Sequence, residues 1–232
     1  MAFAVTETTL YFLFSFIAFL FTISVHESAH ALAADRCGDA TARLAGRISL
    51  NPLRHMELFG TIILPLITAL SGMPTFGWAK PTPVNPARLR KPRRDDILVS
   101  AAGPASNLLT AIACLFLLEA IRASSPAGAQ VVNDLAWTGT PGIGSSVLNP
   151  LAWLLHRLLE ISVILGVFNL FPVPPLDGSH ILQQLLPWRA RVVYRSLSRY
   201  GMLVLLLVLW YTPLSQWAFD RPMRLVNSLL RM

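Results

Sequence analysis

The sequence predicts an all-α polytopic membrane protein. It should have four full transmembrane helices plus a re-entrant element (five spans if that element crosses), a short membrane-associated strand region and a C-terminal amphipathic helix. Three observations carry this. Of 232 residues, 54% are hydrophobic and 13% charged, where soluble domains carry about 25% charged residues, and the mean hydropathy is +0.55. Apolar runs recur at lengths near the roughly 20 residues that cross a bilayer as a helix. Lys and Arg gather between those runs, four in 36–58, six in 80–94, one in 122–146 and four in 189–199. The runs leave no room for a soluble domain. Residues 1–232 therefore read as one integral-membrane domain, a core at about 8–187 followed by a last span and an interfacial tail in 200–232.

The first apolar run covers about 8–34. It lacks a basic n-region, so it should be retained rather than cleaved as a signal peptide. Segment 36–58 mixes arginines with small and apolar residues, and its alternation around 45–50 suggests a short strand or hairpin. The run at 58–70 contains Pro65 and is bounded by Gly60 and Gly72. It is too short for a span and better suits a re-entrant element. Pro74, Pro81, Pro83, Pro86 and Pro92 make 74–94 an extended connector. Spans follow at about 95–120 and 147–171, separated by a polar loop at 122–146. A proline break at 172–175 leads into a short helix over 177–186. The last span is expected at 200–211, and the tail places Trp217, Phe219, Leu225 and Leu229 among Arg221, Arg224 and Arg231, as in an interfacial helix.

The loops rich in Lys and Arg should face the cytoplasm and the poor one outside. That holds if 58–72 returns to the side it left. Two separate arguments, length and charge, thus agree on re-entry. The net charge of +7 is accounted for by this topology and calls for no nucleic acid. Cys37 and Cys114 form no disulfide framework and read as small buried hydrophobes.

Residues 26–30 read His-Glu-Ser-Ala-His within the first apolar run. On a helix, H-E-x-x-H puts two histidines one turn apart on one face, aimed at a single zinc, beside a glutamate suited to act as general base. Two histidines and a glutamate are costly inside a bilayer, so a functional site is the default reading. A catalytic zinc takes three protein ligands and keeps one position for water. The third could come from Asp177, His180, His55, Glu57, His156 or Glu160. Asp177 is the best placed, because the prolines before it stop the helix and stiffen the chain. Asn107 reads as a packing or hydrogen-bonding residue between spans. His55 and Glu57 should lie near the membrane surface, and His156, Arg157 and Glu160 should snorkel at the outer interface.

His26-Glu27-Ser28-Ala29-His30, together with the run from Asn169 to Asp177-Gly178, resembles the site-2 protease family of intramembrane zinc metalloproteases. Gly46-Arg47 through Asn51-Pro52, Gly77-Trp78-Ala79-Lys80-Pro81 and Ala102-Gly103-Pro104-Ala105-Ser106-Asn107 also resemble it, in family order over about 20–185. The resemblance implies one zinc ion per chain on His26, His30 and Asp177, with Glu27 as general base. It implies that Asn169 helps to hold the substrate or the developing oxyanion; from the residues alone, an interhelical hydrogen bond serves equally well. It implies three core helices at 8–34, 95–120 and 147–171 and an extended segment after Phe76 that pairs with an unwound substrate. The outside loop and tail are too short for the PDZ or cystathionine-synthase-like domains of many members, so regulation would fall to separate partners.

The expected function is hydrolysis of peptide bonds in or near transmembrane segments of membrane-protein substrates. The expected location is a bacterial or archaeal cell membrane, with the active site toward the cytoplasm. Two other classes compete. A non-catalytic scaffold binding transmembrane helices is disfavoured by the intact Glu27. A zinc transporter would need more intramembrane carboxylates or histidines along a continuous path, and the span at 97–118 offers none.

Overall fold

The computed structural model describes residues 7–70, 77–141, 148–211 and 216–231. In chain order its α-helices are α1 (Glu7–Arg36), α2 (Thr41–Leu44), α3 (Leu64–Leu70), α4 (Pro92–Ser124), α5 (Pro126–Thr138), α6 (Leu148–Asn169), α7 (Asp177–Leu185), α8 (Trp188–Ser198), α9 (Gly201–Tyr211) and α10 (Arg221–Leu230). Among the described residues α1, α4 and α6 are long and apolar enough to cross a membrane, and they coincide with the expected spans at 8–34, 95–120 and 147–171. Helix α1 carries Glu7 in its first turn and Arg36 in its last, charges that complement the helix dipole. Helix α4 starts with Pro92 at its first position, where the missing N–H costs nothing. The Asp95 carboxylate accepts the Lys91 N–H at 2.7 Å.

Helix α4 is central and packs on α1, α5, α6 and α7. Phe14 meets Trp153 and Thr22 Oγ1 lies 3.3 Å from Ser162 Oγ, so α1 and α6 run in the same direction. His30 lies against Val99 and His26 against Asn107, so α4 runs opposite to α1. The main apolar core sits at the end far from the histidines, where Leu118, Val132, Leu135, Trp153 and Leu159 are buried together.

Several expectations differ from the structure. The stretch 122–146 is not simply a loop, because α5 occupies half of it. Ser125 Oγ caps Gly128 N–H at 3.0 Å, Pro126 opens the helix, and Gly139 closes it at φ +73°. Val131, Val132, Leu135 and Ala136 are its buried face. No strand forms among the described residues. Segment 77–85 is extended, but Pro81 and Pro83 lack ladder donors. Isolated bonds hold it, Trp78 N–H to Gly60 O at 3.1 Å and Lys80 N–H to His55 O at 2.8 Å, and Arg47 donates to Lys80 O and Pro81 O.

Helix α9, expected as a full span, has 11 residues, about 16 Å at 1.5 Å per residue, half of a roughly 30 Å hydrocarbon core. The amphipathic tail helix is present, but it lies along the bundle. Phe219 stacks on Phe168 at 5.6 Å, while Val226 and Leu230 join the core beside Leu135 and Trp153. Finally, His156 and Arg157 do not snorkel. They are 1% and 6% exposed, because Arg157 finds partners inside. It donates to Glu160 at 2.7 Å, Tyr11 Oη at 2.9 Å and Gly139 O at 2.9 Å.

Residues 58–70 form one continuous helical stretch, a π-helical Leu58–Ile63 leading into α3. Glu57 caps it, accepting Gly60 N–H at 2.7 Å and Phe59 N–H at 3.2 Å, bonds that hold its carboxyl below the ordinary value. The chain then comes back beside the start of that helix. A Cβ on Gly77 would lie 2.5 Å from Gly60 O, and one on Gly60 would lie 2.3 Å from the Trp78 ring.

The Arg157 cluster makes a stability prediction. Arg157→Met leaves Glu160 buried without its cation and should cost about 3–5 kcal/mol. Arg157→Met with Glu160→Leu should recover most of that. Reversible unfolding in bicelles measures both, and equal destabilisation by the single and double variants would show that the ion pair is not what holds this end.

Candidate metal centre

His26 and His30 are four residues apart on α1, so their side chains leave the same face. Their rings stand edge to face with centroids 4.6 Å apart, and both are buried at 8% exposure. Helix α4 crosses this face at Gly103. A Cβ there would sit 2.3 Å from His30 Nε2 and 2.6 Å from His26 Cε1, so only glycine lets α4 come this close.

Asp177 arrives from the other side. Helix α6 ends at Asn169, and the proline-rich turn reverses the chain so that α7 begins with Asp177. The reversal is tight, since a Cβ on Gly178 would lie 2.1 Å from Leu170 O. Asp177 Oδ2 lies 3.1 Å from His26 Nε2 and Asp177 Oδ1 3.4 Å from His30 Nε2, while the two Nε2 atoms are 3.0 Å apart. Ligand atoms about 2.0–2.1 Å from a tetrahedral zinc would be about 3.3 Å from one another, so the three side chains fit that ion. Apart from its approach to His26 Nε2, Asp177 Oδ2 is buried with no well-aligned hydrogen bond, as suits an atom made to face a cation. Among the described residues this is the one set of three His, Cys, Asp or Glu side chains so placed.

The other third-ligand candidates lie elsewhere. His180 is exposed one turn along α7. His55 is fully buried, not at the surface, with Nε2 2.7 Å from Ser49 O. Glu57 caps the 58–70 helix, and His156 and Glu160 belong to the Arg157 cluster at the far end of α6. Asn169, half-buried at the end of α6, donates its amide to Leu165 O at 3.0 Å and has no hydrogen bond to the three ligand candidates.

Glu27 is held from the connector. Its Oε2 accepts Thr82 N–H at 2.8 Å and lies 2.6 Å from Thr82 Oγ1. Sequence reasoning missed Thr82, because nothing in an extended Pro-Thr-Pro announces a partner 55 residues away. It also undervalued Asn107, whose Nδ2 lies 3.0 Å from His26 Nδ1. The signal for both Gly103 and Asn107 was their spacing, four residues apart on the face of α4 that meets the histidines.

The close approach at Gly103 can be tested directly. Gly103→Ala should push the histidine rings apart and weaken zinc binding by about 10–100-fold, the scale seen when ligand orientation is disturbed. Chelator competition on the purified protein measures it, and wild-type affinity would mean that α4 can move away freely.

Residues 14–211 match the model of peptidase family M50. The chain is 37% identical over 201 residues to "Putative zinc metalloprotease YwhC" of Bacillus subtilis, covering 87% of this chain and 81% of that one. It is 30% identical over 202 residues to "Putative zinc metalloprotease Rip2" of Mycolicibacterium smegmatis, covering 87% and 68%. Rip2 of Mycobacterium tuberculosis strain H37Rv is 30% identical over 203 residues, covering 86% and 68%. No solved structure gives a significant match. A matched region that takes in His26, Glu27, His30 and Asp177, and similarity along most of the chain, place it: this protein belongs to peptidase family M50.

Proposed function

We propose that this M50 zinc metalloprotease is an intramembrane endopeptidase, cutting peptide bonds within or near transmembrane segments of membrane-protein substrates. The observation that carries this reading is the convergence of His26, His30 and Asp177 among helices long enough to span a bilayer. Those three residues are the proposed ligands of one zinc ion per chain, and Glu27 is the proposed general base.

A zinc ion held by His26, His30 and Asp177 would supply a water of lowered pKa and a Lewis acid for the scissile carbonyl. Glu27 takes the proton of the attacking water and delivers it to the leaving amide nitrogen. Thr82 fixes the carboxylate for that task through two contacts on Oε2. Asn169, at the helix end just before the proline turn, is a candidate for holding the substrate or the developing oxyanion. A transmembrane helix satisfies its own backbone bonds, so a substrate must unwind first. Segment 77–85 is held by isolated bonds rather than by a partner strand, and could take up such a piece by strand addition. Substrates with helix-weakening residues follow from that requirement.

The topology that best fits keeps the histidine end cytoplasmic and the α5 end outside, because Lys and Arg crowd 80–94 and 189–199 while 122–146 has one. The return of Gly77 and Trp78 to Gly60 supports re-entry of 58–70. The fourth crossing would be shared between α9 and the tail, since 216–230 runs along α6 from Phe168 toward Trp153. A bacterial or archaeal cell membrane remains the expected location, with separate regulatory partners.

Two measurements test this. Purified protein in liposomes, offered single-span membrane peptides, should cleave some of them. Glu27→Gln should bind zinc as wild type does yet lose activity by about 10²–10⁴-fold, whereas Asp177→Asn should lose zinc itself. Zinc flux into liposomes without any cleavage would favour a transporter instead. In a cysteine-free background, Thr138→Cys should react with an impermeant thiol reagent in intact cells and Arg90→Cys only after lysis. The reverse labelling would sink the proposed orientation.

A further inference from the structure

Zinc binding by His26 through Nε2 requires the proton of its neutral ring to sit on Nδ1. For His30 the structure supplies the reason directly. Its Nδ1 lies 2.7 Å from the carbonyl oxygen of Val99, an acceptor that can only be met by an N–H. His26 Nδ1 instead faces the side chain of Asn107 at 3.0 Å. Asn107 is fully buried, on α4, two turns beyond Val99. A carboxamide can turn either atom to the same neighbour with almost the same outline, and the neighbour's chemistry decides which. With Nδ2 toward His26, the ring must accept at Nδ1, which puts the proton on the Nε2 that faces Asp177. That orientation also strands Oδ1, which is buried without a donor. With Oδ1 toward His26, the ring donates from Nδ1 and its Nε2 lone pair is free for the metal.

We infer that Asn107 is a positioning residue of the metal centre. Its Oδ1 accepts the His26 Nδ1 proton, fixes the tautomer and ring angle of that ligand, and does for His26 what the Val99 carbonyl does for His30. One face of α4 then completes both histidines, with Val99, Gly103 and Asn107 at four-residue spacing. Metal-bound histidines are held in this way by carbonyl or carboxylate oxygens, and loss of the partner typically lowers metal affinity by 10–100-fold. The inference rests on the proposed role of His26 as a zinc ligand.

The test compares wild type, Asn107→Leu, Asn107→Asp and His26→Ala by chelator competition for zinc, with the melting temperature of each metal-free protein measured alongside. Asp keeps an acceptor and removes the donor, while Leu removes both at similar volume. The expected result is a zinc affinity about 10–100-fold weaker in Asn107→Leu and within a few-fold of wild type in Asn107→Asp. The melting temperatures show that each variant folds; metal-free Asn107→Leu should melt somewhat lower than wild type, because the buried His26 Nδ1 loses its partner, and metal-free Asn107→Asp should not. Two results overturn the inference while leaving the metal site intact: wild-type affinity in Asn107→Leu, or equal loss in the Asp and Leu variants. Failure of the site itself looks different, since His26→Ala would then bind zinc as well as wild type.

Discussion

The close approach of α4 to the two-histidine face of α1 is the constraint on which the site depends. Gly103 permits it, because any side chain there would occupy the space of the His26 and His30 rings. Once the helices are that near, one turn of α4 to either side reaches the outer nitrogens of both rings, through Val99 O and Asn107. Proline 104 sits beside the contact inside α4. It has no N–H to give the Ser100 carbonyl four residues back. The same short stretch thus combines a missing side chain and a missing donor where α4 faces His26 and His30.

The two ends of the bundle are stabilised by different physics. Far from the histidines, aliphatic and aromatic side chains from α4, α5, α6 and α10 bury one another, and Arg157 ties α1, α6 and the end of α5 together by charge-assisted bonds. Near the histidines the contacts are polar and come largely from turns and extended chain. Arg47 gathers the carbonyls of Arg54, Lys80 and Pro81, and Asp39 collects Thr41 and Asn85 N–H groups. Burial pushes the Asp39 carboxyl up, yet the bonds from Thr41 and Asn85 outweigh it and hold it below its usual value. In the proposed function, water and an unwound peptide enter at the histidine end, and a polar, loop-built region accommodates them where a packed apolar core would not.

The features legible in the sequence were those set by local spacing. The pair His26 and His30 is a property of one helix, and the three long helices follow from length and hydropathy. Asp177 was reachable because the prolines before it announce a break. Helix α5 was hidden by polar composition, although Ser125-Pro126 and Gly139 mark its two ends. The Arg157 cluster was misplaced because a sequence gives no view of Tyr11 and the Gly139 carbonyl waiting beside it. The strand reading followed an alternation that is real around 45–50, but Gly46 at φ +68° and the helical turn before it remove that stretch from any ladder.

The longest-range element of the site is the tie between Glu27 and Thr82. It joins the proposed base to the one extended segment beside it, and Thr82 stands between Pro81 and Pro83. Proline fixes its own backbone angle and biases the residue before it toward extended conformations. Pro83 therefore biases Thr82 toward an extended backbone, with no partner strand among the described residues. Its N–H is the only backbone donor among residues 81–83, and that donor goes to Glu27 Oε2. A peptide adding to this segment could not draw on that N–H without releasing the carboxylate. In the proposed mechanism, pairing along 77–85 must then either leave Thr82 facing Glu27 or free the base as the substrate settles. In that mechanism, the segment proposed to receive the substrate and the proposed base are coupled through one threonine.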